Sequence, residues 1–284
     1  MNASLQKSGL HRYAILLVIV AMAVIIAGAF ITSTEVAARQ SETTVSAVVN
    51  VSLHRALAIA LAVLTLGLAL GASFEATAGW VKAAAWSGLA IVACDGVLGW
   101  AAPPLSPNLA VFHALLAHLF LTLITVFALG TSSGWRLPPE LVDGSSKPLL
   151  RPLAIATPPV VFLQITLGSM YRHDMTSILP HIAIAMGVAF LGLIGSSVVL
   201  QNFPRPASLR RAAAAFISIV LTQVCLGIGA FLMLVLNYAG TLYFVLTTVG
   251  HVAIGAATLA ASVIMAMEVW RSVLPKKRVD QRTE

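Results

Sequence analysis

The feature that most constrains this chain is a series of apolar blocks, each long enough, wound as a helix, to cross the roughly 30 Å hydrocarbon core of a bilayer. They run at about 13–34, 52–73, 82–102, 108–130, 152–171, 179–201, 212–237 and 243–269. None alternates apolar and polar residues, so none reads as a barrel strand. In lipid every backbone N–H and C=O must be satisfied within the protein, which a continuous helix does. Only 10% of the residues are charged, against about a quarter in soluble domains, too few to cover a soluble surface. The sequence therefore predicts an all-α polytopic membrane protein of eight transmembrane helices.

The placement of charge gives the orientation. With the N-terminus inside, the inner segments hold Lys7, Arg12, Lys82, Arg136, Lys147, Arg151, Arg205, Arg210, Arg211, Arg271, Lys276, Lys277, Arg278 and Arg282, and the outer ones hold only Arg39, Arg55 and Arg172. Such a bias places both termini in the cytoplasm. It also accounts for the net charge of +7 as topology rather than nucleic-acid binding. The first block is too long for a signal-peptide core and reads as a retained span. Cys94 and Cys225 lie in different apolar blocks, so no disulfide framework or cysteine metal site is expected.

Two halves resemble each other. Ala27-Gly28-Ala29-Phe30 ends span 1 as Leu167-Gly168-Ser169-Met170 ends span 5. His54 opens span 2 and His181 opens span 6; Cys94 to Gly99 in span 3 matches Val224 to Gly229 in span 7; His113 in span 4 matches His251 in span 8. Four matches in one order indicate a tandem duplication: two four-helix bundles, at 1–133 and 152–270, joined by a cytoplasmic linker at 134–151 and followed by a basic tail at 271–284.

His54, His113, His181 and His251 all fall on spans running from outside to inside. At 1.5 Å per residue they lie from the outer interface to roughly 12 Å below it. Ionisable residues inside spans are costly and mark function. Zinc prefers three or four protein ligands, and each half offers two clear ones. Two imidazoles on facing helices suit the axial positions of a haem iron. Gly28, Gly96, Gly99, Gly168, Gly227 and Gly229 allow close approach of a helix or a flat macrocycle. Arg55 and Arg172, at the outer interface, are candidates to pair haem propionates. His118 is turned about 140° from His113 around the helix and reads as a core residue, and His173 as interfacial. Asp95 lies deep in span 3 at the level of His54 and His113, and is the candidate for proton relay at the site.

Taken together, His54-Arg55, Leu98-Gly99, Phe112 to Ala117, Gln164 with Leu167-Gly168 and Arg172-His173, Pro180-His181, and His251 with Gly255-Ala256 resemble the haem A synthase family over about 13–270. The resemblance implies an oxidoreductase of a bacterial-type plasma membrane that converts the C8 methyl of haem O, its substrate, to the formyl of haem A for cytochrome oxidase assembly. It implies haem b on His181 and His251 and the substrate haem on His54 and His113. The partners it implies are haem O synthase and the oxidase assembly machinery, with lipid around the spans. Two departures stand out: the family's Glu three residues before the first His is Val51 here, and the first outer loop, Glu35 to Val49, lacks the cysteine pair of many members. The alternatives are a non-catalytic haem-binding or electron-transfer protein that assists oxidase assembly, and a transporter with structural histidines.

Overall fold

A computed structural model describes residues 3–40, 51–74, 78–101 and 105–275. Most of the first interhelical loop (41–50), Pro103 and Pro104, and Lys276, Lys277, Arg278 and Arg282 of the basic tail lie outside the described residues. Eight helices are long and apolar enough to cross a membrane. They are α1 (Ala3–Gln40), α2 (Val51–Phe74), α3 (Gly79–Ala101), α4 (Pro107–Thr131), α6 (Leu150–Arg172), α7 (Ile178–Asn202), α8 (Ala207–Val235) and α9 (Leu242–Ser272). A one-turn helix, α5 (Ser133–Arg136), follows α4. The protein is all-α, as its apolar blocks predict, and the expected spans fall inside these helices apart from a residue or two at some ends. Helix α6 continues through Pro158 and Pro159.

The ends are set by ordinary chemistry. Pro107, which has no N–H to leave unpaired, sits in the first turn of α4, and the Thr241 hydroxyl accepts from the Phe244 amide at the start of α9. Helices α6 and α8 end in the same motif. Asp174 and Asn237 adopt left-handed backbone, φ 58° and 62°, a conformation Asp and Asn tolerate better than most residues. Behind them Met175 N donates to Met170 O at 2.9 Å, and Tyr238 N donates to Met233 O at 2.8 Å.

Helices α1 to α4 close a ring of contacts, α1 on α2, α2 on α3, α3 on α4 and α4 on α1, and α6 to α9 close another in the same order. The rings meet where α9 packs on α1 and α4, and α4 on α6. Thus α1, α4, α6 and α9 form the middle of the molecule, with α2 and α3 on one side and α7 and α8 on the other.

Burial runs unevenly along the flanking helices. Buried positions of α2 begin at Leu61 and those of α7 at Val188; those of α3 stop at Val92 and those of α8 at Val220. Each ring is therefore close-packed towards the interhelical linker. At the other end, the level of His54, Asp95, His181 and Gln223, these four helices have no buried residue.

The linker expected at 134–151 carries structure of its own. Val142–Asp143 (β1) pairs in parallel with Val273–Leu274 (β2), just beyond α9. Arg271 lies 4.4 Å over the Trp135 ring and donates to the Leu137 carbonyl. Arg151 lies 4.5 Å over the Trp270 ring and donates to the Trp270 carbonyl at 2.6 Å. The basic residues that mark this end of the molecule also tie the linker to the end of α9.

Candidate functional site

In the first ring, α2 and α4 bring His54 and His113 together, ring centroids 6.2 Å apart and planes at 78°. In the second, α7 and α9 bring His181 and His251 together at 6.1 Å and 77°. The two pairs agree within 0.1 Å and 1° by direct subtraction, although they sit on four different helices.

Each imidazole lies against a glycine of the preceding helix. A Cβ built on Gly28 would stand 3.2 Å from His54 Cε1, on Gly99 3.1 Å from His113, on Gly168 2.8 Å from His181 and on Gly227 2.9 Å from His251. Any larger residue would push the ring away. Of the candidate glycines, Gly28, Gly99, Gly168 and Gly227 take this part. Gly96 has open space around its α-carbon and Gly229 meets only Thr247, so Gly99 corresponds to Gly227, two residues away from the sequence match of 94–99 with 224–229.

One helical turn before each glycine comes a second contact. The residues are Val24, Asp95, Gln164 and Gln223. His181 Nδ1 donates to the Gln164 carbonyl at 3.1 Å, while the Gln164 side-chain Nε2 stands 3.2 Å from His181 Nε2. Gln223 Nε2 stands 3.3 Å from His251 Nε2. The other three histidines differ: His113 Nδ1 faces the Asp95 carboxylate, and Nδ1 of His54 and of His251 is buried with no hydrogen-bond partner among the described residues. The unit repeated four times is thus a histidine against a facing glycine, and among these four only His181 bonds the carbonyl one turn before that glycine. A carbonyl or carboxylate beside one imidazole nitrogen fixes the ring's orientation, as at metal-bound histidines, while at His181 and His251 a glutamine amide stands beside Nε2.

The side chain at that turn differs from unit to unit. Gln164 and Gln223 are neutral amides and Val24 is apolar. Asp95 is a carboxylate, and its Oδ1 lies 2.7 Å from His113 Nδ1. His118 is buried and bonds the Ala114 carbonyl at 2.7 Å within its own helix. The carboxylate of span 3 therefore engages the facing histidine.

The two arginines stand apart from the imidazoles in different ways. Arg55 lies 5.0 Å over the Trp100 ring, at the end of α3. Arg172 reaches out of its own ring into α1, where it donates to Thr32 Oγ1, to Ser33 Oγ at 2.9 Å and to the Ala29 carbonyl at 3.4 Å. Val51, one turn before His54 on α2, is about half exposed.

Sequence reasoning missed Gln223 and gave Gln164 no role at the site. The signal was present: each stands four residues before the glycine that faces a histidine, as Asp95 does. Among the described residues no three His, Cys, Asp or Glu side chains gather as a set of metal ligands. Each site therefore offers two imidazoles and no third protein ligand of these types. Compared with known proteins, the chain matches no family model and no curated protein.

Proposed function

We propose that this chain is a haem A synthase-type oxidoreductase of a bacterial-type plasma membrane, with both termini cytoplasmic. The observation that carries the reading is the twice-repeated imidazole pair. Two imidazoles on opposite sides of one metal ion, each about 2.0–2.1 Å away through nitrogen, with the ring centre about 1.1 Å further back, hold their centroids about 6.3 Å apart. The measured spacings are 6.2 and 6.1 Å. A donor set of two imidazoles suits an iron whose other four ligands come from a porphyrin. The four facing glycines, and histidines that are partly exposed rather than buried, are consistent with a flat macrocycle lying between the helices. The excess of Lys and Arg in alternate loops supports the orientation.

In this reading His181 and His251 hold haem b, and His54 and His113 hold haem O, the substrate, whose C8 methyl becomes the formyl of haem A. Haem b, when bound, supplies one-electron transfer. The chain's own residues grip and orient: the glycines admit the rings, the Gln164 carbonyl and the Asp95 carboxylate hold His181 and His113, and the Gln164 and Gln223 amides steady the second pair. Haem O synthase and the oxidase assembly machinery are the partners this activity calls for.

A second reading keeps the haems and drops the oxidation: a haem-binding or electron-transfer protein that assists oxidase assembly. It is favoured by Val51, an apolar side chain where the resembled family carries Glu, and by Asp95, which is engaged with His113. Expression in a host that makes haem O and no haem A, followed by chromatography of the extracted haems, separates the two. Haem A that disappears with His54→Ala supports the enzyme. Bound haem without conversion supports the second reading, and colourless protein excludes both.

A further inference from the structure

The four histidine units differ in one respect that bears on electron transfer, and the inference drawn from it rests on the haem-binding reading above. Span 3 and span 7 occupy corresponding places in the two rings, with Gly99 and Gly227 against His113 and His251. One turn earlier, span 7 carries Gln223, a neutral amide, and span 3 carries Asp95, whose Oδ1 lies 2.7 Å from His113 Nδ1. We propose that Asp95 is a positioning residue for His113 that makes an iron in the first ring harder to reduce than one in the second.

The physical argument has two parts. A carboxylate beside Nδ1 favours the tautomer protonated there, leaves Nε2 for a metal and increases the basicity of the ligand. A more basic ligand and a nearby negative charge both favour the ferric over the ferrous state, more strongly in a low-dielectric site than in water. In the second ring Gln223 and Gln164 contribute dipoles and no charge, so an iron there takes an electron first. The two halves then have matching shapes and unequal potentials, with the first ring the more reduction-resistant end of the pair.

The test uses the full-length protein in detergent, loaded with ferric protoporphyrin IX and titrated reductively while its absorption is followed. His181→Ala and His54→Ala assign the two components to their rings. The wild type is expected to show two midpoints, the lower belonging to the first ring. Asp95→Asn, which keeps shape and removes charge, is expected to raise that midpoint so that the ferrous-to-ferric ratio at fixed potential rises about tenfold, about 59 mV for one electron, and to leave the other unchanged. Gln223→Glu serves as the reciprocal variant, and is expected to lower the second midpoint even where Asp95→Asn binds haem poorly. Coincident midpoints in the wild type, or midpoints that neither variant moves, overturn the proposal while leaving haem binding intact. Absence of haem from wild type and variants alike overturns the haem-binding reading itself.

Discussion

Arg172 on α6 donates from Nη2 to Ser33 Oγ on α1 at 2.9 Å, and so joins the two rings of helices. The geometry reaches both sites. Arg172 lies one turn beyond Gly168, which meets His181, and the stretch it grips, Ala29 to Ser33, follows directly on Gly28, which meets His54. A guanidinium committed to three acceptors on another helix holds the two imidazole sites in fixed register.

Arg172→Met keeps length and removes all three bonds. Hydrogen bonds to charged groups contribute about 1.5–3 kcal/mol each, so a loss of at least about 2 kcal/mol is expected. Thermal unfolding in detergent would show it as a lowered midpoint, with Arg172→Lys in between. An unchanged midpoint for Arg172→Met would show that the contact contributes nothing to joining the rings.

Gly168→Ala and Gly227→Ala place a methyl within 3 Å of an imidazole carbon, and the ring must turn to make room. Overpacking of this kind costs about 1–3 kcal/mol, and on the proposed haem-binding function the expected outcome is loss of the second ring's low-spin haem spectrum. Gly187→Ala is the control, since nothing lies within 4 Å of a Cβ there. It should keep the spectrum and gain about 1 kcal/mol of helix propensity at most.

Arg271→Ala removes both the stacking on Trp135 and the hydrogen bond to Leu137. The linker then loses one of its anchors at the end of α9, and limited proteolysis should cut the 137–149 segment several-fold faster than in the wild type. Gly144→Val should act in the same direction, because a Cβ at Gly144 would stand 2.6 Å from the Leu274 carbonyl oxygen.

The same segment should respond to acid. The Ser145 backbone amide donates to Asp143 Oδ1 at 2.8 Å and the Ser145 hydroxyl to Oδ2 at 2.9 Å, and the amide bond is the larger cause holding the Asp143 carboxyl below its usual range. A depressed carboxyl stabilises the fold above its unfolded pKa and loses that contribution as pH falls through the folded one. Cleavage of the linker by an acid-active protease should therefore rise below the ordinary carboxylate range, and Asp143→Asn should flatten the response.

How much of this was legible follows from the physics of each part. The spans were, because lipid leaves a chain few ways to satisfy its backbone and the apolar blocks are long. The histidines and their order were, because a polar ring in an apolar block has few ordinary reasons to be there. Gln164 and Gln223 were harder to see, since an amide in a span is unremarkable until the glycine one turn on is known to face a ring. The reach of Arg172 was not legible: a long side chain at a helix end points equally well to the headgroups, and the choice of Ser33 depends on how α6 lies beside α1. Nor was the pairing of Val142–Asp143 with Val273–Leu274, two strands too short to carry a period and far apart in the chain.

The position of α9 has a consequence for how the protein is made. It packs on α1, α4, α6 and α8, and 56% of its most apolar stretch is buried, more than for any other span. It also leaves the ribosome after the other seven described spans. Helices α1 and α4 must then wait in the bilayer with the surfaces that α9 will cover still facing lipid, and the histidine pair of the second ring is incomplete until His251 arrives. Insertion of α9 thus seals the join between the halves and completes the second histidine pair in the same event, so a chain stopped short of α9 fails in both respects at once.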